Sequence, residues 1–528
     1  MSASDPDLVD ELTAGAGTAR SRPTKVREQV IPATAPDHRA SQEVARERAR
    51  EVGAPLEAHE QPTTGGGGQG RRLLLIGLAD ATPELVLGAW RDELRTLGRL
   101  AGRGAWGYLQ SSLPWTAIPA WLCLLSGLDP GQLGLYGPRY RVNYSYTPPQ
   151  PIDSRAVREP RVWDLMGQAG KSVGVVGAPA TTPAPAVHGH LIGDRALPDG
   201  TLATFPAALA EQAAAWLADA PLIPSAAAAQ SDPERLIRDA YARTEQRFLL
   251  ARRLLARAEY DCFVLVDDSI AALQRALWDS LDPAHPRYRD DHPLAGTIGS
   301  FYRFIDDQIA EVLELVSEDT IVAIASACGG QALKGELALN EWLIATGELV
   351  LQTVFHGPAT LEECAVDWER TRAWATDGGA IYLNVAGREP QGALPADHID
   401  RVRASIAERL RALMGPSGEA DAVEAYYPHT LYATERGVAP DLLAVCTQPG
   451  WRPSATLGRG AIWIDTRATR LDSGWESPTG FLILADPRNP GGGRQFYGGT
   501  IYDLVPTLLT LAGQPVPPRL RGRDLLGG

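Results

Sequence analysis

LLLIGLADATPELV (residues 73–86) and SSLPWTAIPAWLCLLSGLDPGQLGLYG (residues 111–137) decide the fold of this chain. The first is a short apolar run that stops at a glycine and a polar cluster, the pattern of a buried strand delivering its C-terminal end into a turn. The second reads as a loop opening onto a helix near Pro119, which ends at Gly127. In open α/β sheets, ligands lie in the crevice at the carboxyl ends of the strands, where such loops sit.

Working outward, βα alternation continues. REPRVWDLMGQAGKSVGVVG (158–177) reads as helix then strand, and DCFVLVD (261–267) and TIVAIA (320–325) read as further buried strands. Residues 180–245 are rich in Ala, Pro and Thr and turn helical at Pro233, so they are assigned to a cap. The expected architecture is a doubly wound, mostly parallel sheet over residues 71–527 with cap insertions at about 138–255 and 345–440. Residues 1–70 mix Ser, Thr, Pro, Ala and both charge signs, then close in a Gly65–Gly68 run. They read as a disordered tail and flexible linker, with a short helix expected over 40–52.

Composition narrows the function. A net charge of −14 on 528 residues argues against nucleic acid as a partner, which needs a basic face. Five cysteines without CxxC spacing argue against a disulfide framework or zinc ribbon and favour a reducing, cytoplasmic setting. No apolar run approaches membrane-spanning length, so no membrane partner is expected. Three lysines against abundant Arg, Ala and Gly match a GC-rich bacterial genome.

The motifs resemble the alkaline phosphatase superfamily, in its type I phosphodiesterase and nucleotide pyrophosphatase branch. The family's first strand ends I-G-L-D-G-A-T, and here Ile76-Gly77-Leu78-Ala79-Asp80-Ala81-Thr82 puts Ala79 at the metal-binding carboxylate. Its nucleophile loop runs T-P-P-A-W-T-S-x-x-T-G, and counting back from Ser126-Gly127 puts Ala117 at the nucleophile, with Thr116 one place off. Leu133 replaces a later His. Aligning D-x-x-x-H through Trp278 and Asp282-Pro283-Ala284-His285-Pro286 puts Ala271 and Arg275 at its two ligands. The D-H pair becomes Ala327-Cys328, and the last His becomes Glu476. Scaffold segments persist, among them Leu339-Asn340-Glu341-Trp342-Leu343, Gly387-Arg388-Glu389-Pro390 and Asp503-Leu504-Val505-Pro506.

The resemblance implies two-metal phosphoryl transfer, which needs anionic and imidazole ligands around two dications roughly 4 Å apart. Four alanines supply none, and Arg275 repels a cation. The expectation is therefore no metal cofactor and a catalytically inactive homologue acting as a binding or scaffold protein. Its expected contacts are a protein partner through the tail or cap, and a small anionic ligand at Arg275. Arg275 and Glu476, replacing two ligands of one metal, are expected to form a salt bridge in the vacated space.

Other polar residues have structural readings. Asp80, one residue past Ala79, is expected to face away and cap a turn, and Thr116 to cap the Pro119 helix. Cys328 reads as an inert thiol unless Arg275 activates it. Asp267 and Asp268 read as solvated carboxylates. His188 and His190 lack a third ligand, and Gly491–Gly493 reads as a mobile loop, not a phosphate cradle. Two alternatives stay open: metal-free chemistry through Cys328, Asp80 or Thr116, and residual phosphodiesterase or nucleotide pyrophosphatase activity.

Overall fold

The computed structural model describes residues 71–218, 232–353, 357–468 and 472–527. The expected tail, linker and 40–52 helix lie outside the described residues. The principal sheet takes strands β1 (Leu73–Leu78), β2 (Ala105–Gln110), β3 (Val173–Val176), β4 (Gly189–Ala196), β5 (Leu202–Phe205), β6 (Cys262–Asp267), β7 (Ile321–Ser326) and β8 (Thr479–Ala485). From one edge the order is β2-β8-β7-β1-β6-β3-β4-β5, with short strands Arg494–Gln495 and Gly499–Thr500 alongside β2. The run from β7 to β4 is parallel, while β8 and β5 pair antiparallel to their neighbours in that run. This is the expected α/β class, a large and mostly parallel central sheet flanked by helices.

Period-two alternation explains why these strands are apolar throughout. Leu74, Ile76 and Leu78 of β1 enter one core, while Leu73 and Leu75 enter the core on the opposite face. β6 divides the same way, Phe263 and Leu265 against Val264 and Val266, as does β7, Ile324 against Ala323 and Ala325. Both faces are covered, so neither alternate position is polar. Helix α1 (Ala117–Ser126) covers one face; α2 (Pro233–Leu255), α3 (Ser269–Leu277) and α4 (Thr297–Leu313) cover the other.

The cap expected at 138–255 is corrected. That segment supplies β3, β4, β5 and α2, and β3 pairs in parallel with β6 inside the principal sheet. β3 falls in the 158–177 stretch that reads as helix then strand, whereas β4 and β5 lie in the Ala/Pro-rich stretch and lack a long apolar run. A separate antiparallel sheet is built from Ala373–Thr376, Ala380–Leu383, Leu442–Cys446 and Val423–Tyr426, so its strands extend past residue 440. It has its own core, around Trp342, Tyr382, Leu383, Ile406 and Leu443.

β1 lies between β6 and β7 with Gly77 level with Val266 and Ala325. The three strands therefore end together at Leu78, Asp267 and Ser326. α1 packs hard against that edge: a Cβ on Gly77 would lie 2.6 Å from a ring carbon of Trp121. Gly77→Val should accordingly destabilise the fold by about 2 kcal/mol through overpacking. The midpoint of urea unfolding measures it, and an unchanged midpoint would show that Trp121 moves aside freely.

Candidate functional site

The strand ends and the loops beyond them build one site. β1 is followed by Ala79, whose N–H donates to the Asp267 carbonyl at 2.8 Å. β7 is followed by Ala327 and Cys328, both fully buried. Ala79, Ala327 and Cys328 belong to one apolar cluster, with Ala271 of α3 packed against it. Ala117 is the first residue of α1, and the carbonyl of nearby Trp115 accepts from the Cys328 thiol at 3.5 Å. Methyl groups and a thiol thus line these strand ends.

Arg275 lies one helical turn beyond Ala271, so the two share a face of α3. Its Nη2 donates to Glu476 Oε1 at 2.6 Å, which is the ion pair anticipated from the sequence. Glu476 is held by a strand, Gly474–Ser477, which pairs antiparallel with Gly329–Ala332 directly after Cys328. Its carbonyl accepts from Gln331 Nε2 at 2.9 Å. The Glu476 side chain is 10% exposed and Arg275 40%, so the carboxylate is sunk while the guanidinium reaches solvent. Glu476 pushes the Arg275 guanidinium further above its ordinary range.

Asp80 corrects the expectation that it caps a turn. β1 has ended, and Asp80 takes a left-handed conformation (φ 56°), so strand alternation no longer dictates its direction. The residue is 3% exposed and its Oδ1 has no hydrogen-bond partner. Burial, then the Glu476 charge, raise its carboxyl well above the usual carboxylate range, with Arg275 opposing. A network missed at the sequence level holds this loop. Gln274 Nε2 donates to the Asp80 carbonyl at 2.6 Å, and Tyr302 donates to Gln274 Oε1 at 2.8 Å. The Thr82 hydroxyl reaches the same oxygen at 3.1 Å and accepts from Gly330 N–H at 3.0 Å. These partners come from α3, α4 and the Gly329–Ala332 strand, so no local motif announces them.

Thr116 stands at the N-cap position of α1 but makes no capping bond, and its buried Oγ1 is unpartnered. Cys328 is the buried thiol of the plainer reading. Burial and the Asp80 charge push it well above the ordinary thiol range, and its Sγ lies 3.2 Å from the Ser111 hydroxyl. Arg275 does not activate it. Asp267 is not a solvated carboxylate: it is fully buried, accepting from Ser269 N–H and the Thr244 hydroxyl, while Asp268 pairs with Arg247 at 2.6 Å. His188 and His190 are separately engaged, by the Lys171 carbonyl and the Tyr260 hydroxyl.

The fit of a metal can be judged from these donors. Among the described residues no group of three or more His, Cys, Asp or Glu side chains is arranged to hold an ion. A two-metal centre does not fit this donor set. No helix among the described residues is long and apolar enough to cross a membrane.

The profile of the family described as type I phosphodiesterase/nucleotide pyrophosphatase matches residues 73–476. Among solved structures, human ectonucleotide pyrophosphatase/phosphodiesterase 5 is 12% identical with a TM-score of 0.51, covering 87% of this chain and 100% of its own. Phosphonoacetate hydrolase from Sinorhizobium meliloti 1021, solved with phosphonoformate, is 16% identical with a TM-score of 0.51, covering 84% and 96%. At these identities the likeness is one of fold. No curated protein matches the chain by sequence.

Two predictions follow from the electrostatics. A double-mutant cycle on Arg275→Met and Glu476→Gln should return a coupling of about 1 kcal/mol, kept small by the solvent reaching Arg275; zero coupling would make the pair incidental. Asp80→Asn, which keeps the left-handed backbone accessible, removes a carboxyl whose folded pKa is raised. The stability that carboxyl contributes is present at low pH and lost as pH rises through the folded pKa. The variant should therefore unfold at higher temperature than wild type at pH 8, with the difference closing toward pH 4. The opposite trend would mean that Asp80 is stabilised as a carboxylate.

Proposed function

The chain belongs to the type I phosphodiesterase/nucleotide pyrophosphatase family, and from that premise we propose that it is a non-hydrolytic member that works by binding. The observation carrying this reading is the coincidence of seven replacements at one place. Ala79, Ala271, Ala327 and Cys328 meet in one apolar cluster at the strand ends, Ala117 opens α1, and Arg275 and Glu476 form an ion pair. A nucleophile is missing as well. The Ala117 side chain carries no oxygen, Thr116 stands one place off the family position with its Oγ1 buried, and burial pushes the Cys328 thiol well above the ordinary range.

The partner belonging to this reading is a protein, engaged by residues 1–70 or by the second sheet, in a reducing cytoplasmic setting consistent with five free cysteines. A small anion at Arg275 would share the guanidinium with the Glu476 carboxylate, which accepts from Nη2 at 2.6 Å. Family membership itself favours a second reading, residual hydrolysis of phosphate esters through another ligand set that includes Asp80.

Turnover separates the two readings. Purified protein incubated with bis(4-nitrophenyl) phosphate and zinc or manganese should release no nitrophenolate above the metal-only background. Metal-dependent turnover abolished by Asp80→Asn would establish the hydrolase instead. Cys328 should also resist thiol-directed labelling in the folded state, and rapid labelling there would revive metal-free thiol chemistry.

A further inference from the structure

Three arginines meet around the short turn Pro130–Leu133, which follows α1. Arg436, from the loop before the second-sheet strand Leu442–Cys446, and Arg519, from the C-terminal segment, share one carboxylate, that of Glu159. Arg436 Nη1 contacts its Oε1, and Arg519 Nη1 lies 3.3 Å from its Oε2. Arg521 Nη1 lies 2.6 Å from Oδ2 of Asp129, the residue that caps the turn. Gln132 closes the group: its carbonyl accepts from Arg436 Nη1, and its Nε2 donates to the Arg519 carbonyl.

The cluster is sorted by charge. The Glu159 and Asp129 side chains are 14% and 1% exposed, whereas Arg436, Arg519 and Arg521 are 58%, 49% and 42% exposed. A sunk carboxylate needs a cation to offset its lost hydration, and one apiece would serve. Glu159 has two, so three cations stand against two anions and the surplus positive charge faces solvent. The adjoining exposed residues Glu435 and Arg523 cancel each other. On a chain of net charge −14 this is a local reversal of sign.

The atoms left over select the ligand. Each guanidinium bonds through Nη1, and the Nε–Nη2 edge of all three has no hydrogen-bond partner among the described residues. That edge carries two parallel N–H donors spaced to match one carboxylate. Three such edges, carried by separate side chains, suit several carboxylates in series better than one small anion. We propose that this surface docks an acidic peptide segment, whose Glu and Asp carboxylates take the free edges of Arg436, Arg519 and Arg521. The proposal rests on the non-hydrolytic binding reading and gives the protein partner of that reading a chemistry.

The test is fluorescence anisotropy of a dye-labelled hexaglutamate peptide titrated with the full chain. The peptide should bind saturably at about 50 mM salt and about tenfold more weakly at about 200 mM. Arg436→Gln and Arg519→Gln should each weaken it about fivefold. Arg289→Gln, which removes a comparably exposed arginine outside the cluster, should bind it as wild type does. Arg436→Gln and Arg519→Gln each leave Glu159 one cation, so the fold should hold; circular dichroism checks this, and either variant alone carries the test. Absence of saturable binding, equal weakening by Arg289→Gln, or no weakening by the other two overturns the proposal. Displacement of the peptide by inorganic phosphate at matched ionic strength also overturns it, and would assign the cluster to a small anion. Diester hydrolysis by the same preparation reports separately: turnover with peptide binding intact would refute the non-hydrolytic reading and leave this surface standing.

Discussion

The contact between Arg275 and Glu476 is the interaction on which the rest of this site depends. It joins α3 to the strand that follows the second sheet, across the edge where β1, β6 and β7 end together. A dication 4 Å from the guanidinium would meet between about 2 and about 8 kcal/mol of repulsion, depending on how far solvent screens it. The surrounding alanines offer no ligand energy against that. Sinking the Glu476 carboxylate would be costly alone, and Arg275 offsets that cost while keeping its own head group in contact with water.

Around the pair, the loop after β1 is held in an uncommon shape. Asp80 adopts a left-handed backbone and buries a carboxyl that neighbouring charge disfavours ionising. Gln274, Tyr302, Thr82 and Gly330 tie the loop down by hydrogen bonds from three other elements. Backbone strain and an unpartnered polar atom concentrate where a fold's function is or once was. Here they concentrate in the loop after β1, and the unpartnered Trp475 indole belongs to the residue before Glu476.

The sheet and the Arg275–Glu476 ion pair were legible in the sequence for physical reasons. Strands buried on both faces read as unbroken apolar runs, and intact neighbours such as Trp278 and Asp282-Pro283-Ala284-His285-Pro286 fix the spacing to Ala271 and Arg275. What was not legible depends on tertiary context. β4 and β5 lie in an Ala/Pro-rich stretch, so they read as a cap, although β3 just before them reads as a strand. Asp80 was assigned by strand alternation, which ceases to apply where β1 ends at Leu78. Thr116 has the position of a cap residue without its hydrogen bond. Asp267 reads as solvated because its partners Thr244 and Arg247 arrive from α2, about twenty residues upstream, with no local signal.

Anomalous X-ray diffraction at the zinc absorption edge, from crystals equilibrated with zinc, tests most directly whether the donor set has been replaced by an ion pair and an apolar cluster. The predicted map has no anomalous peak near Ala79, Ala271 and Ala327, with Arg275 and Glu476 still in contact. A peak within bonding distance of Asp80, Cys328 or Glu476, with the pair broken, would contradict it.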